Sequence, residues 1–145
     1  FGRADQGIFS FWIHSFKKKN ALKYIGFDGT GHQVRDALHP RDLVPLLSRQ
    51  LMEPSWDAPK IINVGGGIEN SMSLKQLSDW SEKRFGPNEI VSSIEQRPMD
   101  APWIIMDSSV AQNAWCWHPR IGIEQNLEEI ASFADDHPEW LSLTS

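Results

Sequence analysis

The stretch Gly29–Leu47, GTGHQVRDALHPRDLVPLL, joins a glycine-rich turn, a short extended segment and a helix that opens with proline. Pro40 suits the first turn of a helix, because the N–H that proline lacks has no partner there. The helix is predicted to run to about Met52. Four leucines recur on one of its faces: Leu43, Leu46, Leu47 and Leu51. The stretch therefore predicts an extended segment followed by an amphipathic helix.

Charged residues interrupt this stretch where an apolar connection is expected. Arg35 and Asp36 lie inside the extended segment. Arg41 and Asp42 repeat the pair at the start of the helix. A guanidinium in this place either makes a structural ion pair or binds an anion. The residues alone favour an ion-pair network and leave anion binding by Arg35 open.

The composition is typical of a globular protein. The chain has 145 residues, a length sufficient to bury one core. Of these residues, 40% are hydrophobic and 23% are charged. Its net charge of −5 argues against nucleic acid as a partner, since phosphate backbones bind to basic surfaces. No apolar run reaches the roughly 18 residues that a membrane span needs. We therefore expect a cytoplasmic protein without nucleic-acid or membrane partners, and its one cysteine fits a reducing compartment.

Two apolar segments outside the opening stretch are predicted to be structural. Apolar residues at helical spacing predict a helix over residues 7–19. The run Lys60–Val64, KIINV, is apolar on both faces and predicts a strand of a covered parallel sheet, with its partners outside the chain. We expect an isolated chain to self-associate through the edge of this strand or through Phe9, Trp12 and Phe16 of the helix.

Clear start and stop signals mark another helix. Ser73 and Gln76 have the spacing of a capping box, and Gly86 follows the last helical residues near Phe85. The other predicted elements are strands over residues 22–27, 90–95 and 103–107, a short helix up to Trp115 and a last helix over residues 123–134. Helices and strands alternate, so the predicted class is α/β or mixed α+β, in a single domain over residues 1–145.

Three further features are explained better by packing than by chemistry. Residues 65–67, Gly-Gly-Gly, follow a predicted strand without a G-x-G-x-x-G or Walker pattern, which favours a tight turn over a phosphate cradle. Cys116 lies between Trp115 and Trp117, which favours a packed corner over a catalytic thiol. The five histidines lack the paired spacing of metal ligands. We therefore predict no catalytic thiol and no metal site in the chain.

Five segments, in order, resemble one enzyme family. They are DQG before the first helix, YIGFDGTGHQVRDALHPRDL from Tyr24, INVGGGIENSMSL from Ile62, QRPMDAPWIIMD from Gln96 and WCWHPRIGIEQNLEEI from Trp115. Together they resemble the C-terminal half of an extended short-chain dehydrogenase/reductase of the NAD-dependent sugar-nucleotide epimerase/dehydratase family. Three of the pieces look closest to the branch of CDP-tyvelose (CDP-paratose) 2-epimerases.

The resemblance implies a substrate-binding fragment of a longer enzyme. In that family an N-terminal Rossmann domain holds NAD, and the C-terminal half binds a nucleoside diphosphate sugar. The sugar is oxidised transiently, and the hydride returns after a stereocentre has inverted. The expected parent is a sugar-nucleotide epimerase that forms a homodimer through the absent half. A dehydratase or decarboxylase of the same family, or a non-catalytic relative that only binds, are the alternatives.

The family pattern also implies which residues bind the substrate. Arg35 of the V-R-D motif is expected to contact the diphosphate, and Gln33 falls where a polar contact to the same phosphates is common. Arg97 opens the R-P-x-D segment that ends at Asp100, and it matches a second diphosphate arginine. Two guanidinium groups on separate elements can clamp a pyrophosphate. The strand around Tyr24 lies where the family packs the nucleotide base.

Two departures from the family pattern affect these expectations. The family often continues R-P-G-D-x-R, whereas Met99 replaces the glycine here and Pro102 replaces the last arginine. The G-x-x-G-x-x-G fingerprint and the Tyr-x-x-x-Lys catalytic pair have no counterpart in the sequence. We therefore expect that NAD is bound by the missing half and that these 145 residues contain no catalytic residue.

Overall fold

The structure, a computed structural model, describes residues 7–53, 59–95 and 100–142. The helices in these residues are α1 (Ile8–Lys18), α2 (Pro40–Met52), α3 (Leu74–Phe85), α4 (Ser109–Trp115) and α5 (Ile123–Asp136). The strands are β1 (Leu22–Tyr24), β2 (Val34–Asp36), β3 (Ser71–Ser73), β4 (Ile90–Ser92) and β5 (Trp103–Ile104). The predicted mixed α/β class is confirmed.

The strands form two small sheets. β1 and β4 pair in parallel, with Leu22 opposite Ile90 and Tyr24 opposite Ser92. β2 lies between β3 and β5 in a three-stranded sheet. Strands of two or three residues bury little surface by themselves, so most of the apolar core comes from the helices.

The chain divides into two compact units, each assembled from separate stretches of sequence. The first, called here the α1/α3 unit, contains described residues 7–34, 72–95, 100–103 and 127–142. The second, called the α2/α4 unit, contains described residues 35–53, 59–71 and 104–126.

Helix α1 supplies the largest buried side chains of the α1/α3 unit. Trp12, Ile13 and Phe16 are almost completely buried, as the helical spacing of apolar residues predicts. The exposed apolar residues of α1 are Ile8 and Phe11. The prediction of self-association through Phe9, Trp12 and Phe16 is therefore wrong for Trp12 and Phe16, which this unit's own core covers, whereas Phe9 is half-buried.

Helix α3 begins with the predicted capping box. The Gln76 N–H donates to Ser73 Oγ at 3.1 Å, and the Ser73 N–H donates to Gln76 Oε1 at 2.8 Å. The helix ends at Phe85, and Gly86 follows with φ of 80°. Lys19 donates from Nζ to the Phe85 carbonyl at 2.9 Å, so a side chain from the end of α1 satisfies a free carbonyl at the end of α3.

An ion-pair network links three helices of the α1/α3 unit. Asp135 of α5 accepts hydrogen bonds from Lys17 of α1 and from Arg84 of α3, the latter at 2.7 Å. Arg84 also donates to Glu128 at 3.1 Å. The hydrogen bond from Lys17, with a smaller contribution from Arg84, lowers the pKa of the Asp135 carboxyl.

Asp135→Asn is expected to lower the free energy of unfolding at pH 7 by on the order of 0.5–1 kcal/mol, because the pairs are partly exposed and screened by solvent. A lowered pKa stabilises the folded state above the unfolded value, about 3.9 for Asp, and this stabilisation disappears as the pH falls through the folded value. Denaturant unfolding should therefore show a larger deficit at pH 7 than at pH 3. An equal deficit at both pH values would contradict the ionic explanation.

The α2/α4 unit has a smaller core. Leu46, Ala111 and Trp117 are buried together. The N–H of Arg41 donates to His39 Nδ1 at 3.1 Å and caps α2, and Pro40 occupies the first turn as predicted. The partly buried residues around this core are Leu38, Ile62, Val64 and Trp115.

The predicted leucine face of α2 is only partly buried. Leu46 is almost completely buried, but Leu47 is 52% exposed and Leu51 is 82% exposed. Only part of the apolar face is therefore covered within the described residues. The core of the α2/α4 unit is too small to cover the C-terminal half of the helix.

Residues 60–64 do not form a strand in the described structure. Ile62 and Val64 pack against the Leu46 core, whereas Ile61 is 89% exposed. The prediction of a strand is wrong here, because a strand needs a hydrogen-bonded neighbour and the described strands all pair elsewhere. The expectation that its partners lie outside the chain stays a prediction.

Candidate functional site

Arg35 is the central residue of β2 and is half-buried. The backbone is anchored on both sides of it. The Val34 N–H donates to the Pro102 carbonyl at 2.9 Å, and the Ala37 N–H donates to the Asn70 carbonyl at 2.9 Å. The structure therefore presents this guanidinium from an ordered strand rather than from a free loop.

The Asp36 carboxylate has a structural partner in the glycine turn of residues 65–67. Its Oδ2 accepts the Gly67 N–H at 3.0 Å. The Gly65 N–H donates to Ser108 Oγ at 2.9 Å. A Cβ at Gly66 would overlap the Ala37 carbonyl oxygen, so only glycine fits there. Two of the three amides are engaged within the α2/α4 unit, which favours the predicted tight turn over a phosphate cradle.

Gln33 directs its amide group into its own loop. Its Nε2 donates to the Ile25 carbonyl at 2.7 Å and lies 3.4 Å from the Gly26 carbonyl. This contact defines the orientation of the amide, because the opposite assignment would place two oxygens together. Gln33 Oε1 is buried and has no hydrogen-bond partner among the described residues.

Asp100 and Gln33 approach the same glycine. A Cβ built on Gly26 would lie 2.7 Å from Asp100 Oδ2 and 3.4 Å from Gln33 Nε2. Gly26 has φ of 81°, so the absence of a side chain satisfies both the backbone conformation and the close approach. The structure thus brings two of the predicted substrate-binding residues together in the α1/α3 unit.

The Tyr24 side chain is directed into the core. It is 8% exposed and stacks on Trp12, with ring centroids 5.9 Å apart and planes 7° apart. Its hydroxyl donates to Ser78 Oγ at 2.7 Å. Along β1, Lys23 is the exposed residue between two buried neighbours. A role of Tyr24 as a wall for the nucleotide base stays a prediction.

Arg97 lies outside the described residues, so the prediction of a second diphosphate arginine has no structural outcome. Cys116, considered above as a thiol, is exposed and has φ of 47°. No group of three or more histidine, cysteine or acidic residues in the described parts of the chain could hold a metal ion. None of the helices described has the length and hydropathy of a membrane span.

The sequence did not predict the role of Asp42. This buried carboxylate accepts the backbone N–H groups of Arg120 at 3.1 Å and Ile121 at 3.0 Å. Its own carbonyl accepts Trp117 Nε1 at 2.7 Å. The short-range pattern around Asp42 suggested an ion pair, but its partners are backbone groups almost eighty residues away, and no local signal identifies them.

The fold is shared with enzymes that act on sugar nucleotides. The structure matches UDP-glucuronic acid 4-epimerase from Bacillus cereus, solved with UDP-glucuronic acid and NAD, with a TM-score of 0.77 and 19% identity over 94% of this chain and 42% of that one. UDP-glucose 4-epimerase from Thermotoga maritima, solved with UDP-glucose, gives a TM-score of 0.74 and 16% identity over 95% of this chain and 44% of that one. For dTDP-glucose 4,6-dehydratase from Bacillus anthracis, solved with NAD, the TM-score is 0.69 and the identity is 19% over 97% of this chain and 43% of that one.

The sequence is similar to that of a particular epimerase. It is 28% identical over 136 residues to CDP-paratose 2-epimerase from Salmonella typhi, which covers 90% of this chain and 39% of that protein. The chain thus spans about two fifths of the length of the relatives that it matches. No protein-family model matches it. The resemblance to the sugar-nucleotide epimerases and dehydratases is confirmed in sequence and in fold.

Proposed function

We propose that the chain is the sugar-nucleotide-binding part of an NAD-dependent epimerase that acts on a nucleoside diphosphate sugar. The observation that carries this proposal is the 28% identity to CDP-paratose 2-epimerase over 90% of the chain. The shared fold supports it, because matching structures were solved with UDP-glucuronic acid and NAD or with UDP-glucose. We propose further that the chain acts as one substrate-binding domain within a cytoplasmic homodimer.

Arg35 is the residue that we propose for the diphosphate. A guanidinium can donate two parallel hydrogen bonds to phosphate oxygens, and partial burial strengthens such charge-assisted bonds by excluding water. Its place in an ordered strand reduces the entropy that is lost on binding. Arg97 is proposed as the second diphosphate arginine on the strength of the family pattern alone.

We propose Gln33 and Asp100, which approach Gly26 within the α1/α3 unit, as further substrate-binding residues. The amide hydrogens of Gln33 are directed at carbonyl groups, so its remaining polar atom is the acceptor Oε1. A phosphate at neutral pH also only accepts hydrogen bonds. The arrangement therefore disfavours the phosphate contact predicted from the family pattern, and a substrate hydroxyl or N–H group would reach Oε1 only if the residues that cover this buried oxygen moved.

We propose that NAD binds to parts of the full-length protein outside these 145 residues. The glycine turn of residues 65–67 fits its phosphates poorly, because the Gly65 and Gly67 amides already donate to side chains. NAD supplies hydride-transfer chemistry when it is bound. The residues of this chain hold the diphosphate and so keep the sugar in place, which uses binding energy from a non-reacting group to raise the rate.

The 145-residue chain alone is therefore expected to bind no NAD and to turn over no sugar nucleotide. Calorimetric titration with NAD up to about millimolar concentration should show no saturable heat. Any binding of NAD would then have a Kd weaker than about 1 mM, which corresponds to a binding free energy smaller than ~4.1 kcal/mol. Micromolar binding of NAD would contradict this expectation.

The function is tested by incubating the full-length protein with NAD and CDP-, UDP- and dTDP-hexoses and identifying the products by NMR. Epimerisation inverts one stereocentre without a change in mass. A dehydratase, which the match to dTDP-glucose 4,6-dehydratase keeps as the second candidate, leaves a keto sugar that is lighter by one water. Decarboxylation releases carbon dioxide, and a non-catalytic relative binds without turnover. Failure to bind every sugar nucleotide would overturn the proposal.

A further inference from the structure

The ring of Tyr24 lies directly beneath Gly31, in the loop that carries Gln33. A Cβ built on Gly31 would lie 2.9 Å from Cε1 and from Cζ of the tyrosine ring. Gly31 also has φ of 72°, which disfavours other residues there. The backbone of the loop therefore rests on the aromatic ring without an intervening side chain.

A buried hydrogen-bond network centred on Ser78 holds the Tyr24 ring in position. Ser78 Oγ accepts the Tyr24 hydroxyl at 2.7 Å and Trp12 Nε1 at 2.9 Å, and it donates to the Leu74 carbonyl at 2.9 Å. Trp12 also stacks on the Tyr24 ring, with ring centroids 5.9 Å apart. Each polar group of this network has a partner, so the position of the Tyr24 ring is determined by α1 and α3 together.

Backbone hydrogen bonds attach the same loop to the N-terminus of α3. The Lys75 N–H donates to the Gly31 carbonyl at 2.7 Å, and the Leu74 N–H donates to the Gln33 carbonyl at 3.1 Å. Amides of the first helical turn have no partner inside the helix, so the loop satisfies groups that would otherwise be free. The ring of Tyr24 and the start of α3 thus determine where the loop lies.

We propose that Tyr24 is a positioning residue, which acts on substrate binding through Gly31 and does not touch the nucleotide base. The proposal rests on the proposed function and replaces the role of Tyr24 as a base wall. The buried ring supports the loop from Gly31 to Gln33, and the chain continues from this loop into Arg35 two residues later. Displacing the loop then weakens the binding of every ligand of the site, whatever its base.

Gly31→Ala in the full-length protein tests the proposal, because it moves the loop while Tyr24 stays intact. Affinity for the sugar nucleotide should fall by about tenfold or more, the change that corresponds to the loss of one charge-assisted hydrogen bond. Gly86→Ala is the matched control: Gly86 has φ of 80°, and a Cβ there meets only Lys19 Nζ at 3.8 Å. The control should keep wild-type affinity.

Tyr24 variants distinguish support of the loop from stacking on the base. Tyr24→Phe keeps the ring and should keep the affinity, whereas Tyr24→Leu should lose a similar factor for CDP-, UDP- and dTDP-glucose and for inorganic pyrophosphate, which has no base. In the double variant Tyr24→Leu/Gly31→Ala the added methyl group meets a smaller side chain, so the two losses should be less than additive. Circular dichroism establishes that each variant is folded.

The outcomes separate this proposal from the proposed function. If the wild-type protein binds neither sugar nucleotides nor pyrophosphate, the proposed function fails. If the wild type binds and Gly31→Ala binds as well as Gly86→Ala, the positioning role is overturned. A loss in Tyr24→Leu that depends on the base and disappears with pyrophosphate would also overturn it, and would restore the base wall. Should Gly31→Ala not fold, the base dependence of Tyr24→Leu decides alone.

Discussion

Arg35→Ala in the full-length protein is expected to weaken the binding of the nucleoside diphosphate sugar by roughly tenfold to a hundredfold. The loss of a charge-assisted contact of this kind corresponds to about 1.5–3 kcal/mol. The variant is expected to keep its fold, because the backbone on both sides of Arg35 is anchored by the Val34 and Ala37 amides. Calorimetric affinity and thermal unfolding, measured on the same preparation, test both expectations.

A suitable control for this variant is Arg120→Ala, which removes the same charge from an exposed side chain of the same unit. If affinity falls equally in both variants, the effect is one of net charge and not of a contact. A destabilised Arg35→Ala protein with wild-type affinity would return Arg35 to the structural ion-pair interpretation.

Two further variants refine the proposed contact. Arg35→Lys should recover only part of the affinity, because an ammonium group cannot reproduce the bidentate geometry of a guanidinium. Arg97→Ala should behave like Arg35→Ala. If both residues hold one pyrophosphate, the double variant should deviate from additivity, and strictly additive losses would argue against a shared ligand.

Asp42→Ala is expected to give the largest loss of stability, about 3 kcal/mol, since hydrogen bonds to a charged group contribute about 1.5–3 kcal/mol each. The substitution removes the acceptor of the Arg120 and Ile121 amides. Asp42→Asn keeps one oxygen acceptor and should lose about half as much. Thermal and denaturant unfolding of the full-length protein measure both values.

Asp79 offers a control for the loss of a carboxylate. It is paired with Lys75 one helical turn away on an exposed surface, so Asp79→Ala should cost no more than about 0.5 kcal/mol. A loss for Asp42→Ala as small as that for Asp79→Ala would show that the two amides find other partners. Such a result would contradict the role of Asp42 in stabilising the segment that begins at Arg120.

The elements that could be predicted from the sequence are those specified by neighbouring residues. The capping box of Ser73 and Gln76 joins groups three residues apart, and both of its hydrogen bonds form. Pro40 opens α2 as its missing N–H requires. The alternation of such elements predicted a mixed α/β protein, and ordered motifs along the whole chain predicted the relationship to the sugar-nucleotide epimerases.

The candidate site was only partly predictable. Motif order indicated Arg35, Gln33 and Asp100, and the structure brings the last two together at Gly26. The direction of each side chain was not predictable, because it depends on distant partners. Tyr24 is turned inward by Ser78, which lies 54 residues further along the chain.

The sequence by itself determined the helix boundaries, the charge and the family resemblance, because each depends on residue identity and on spacing within a few positions. The tertiary structure decided what long-range contacts control. It buried Asp42 against amides 78 and 79 residues away, and it left residues 60–64 without a hydrogen-bonded neighbour. It also placed the Tyr24 ring beneath Gly31. A buried polar or apolar group is satisfied by whatever the fold brings to it, and that partner has no signature in the sequence around the group.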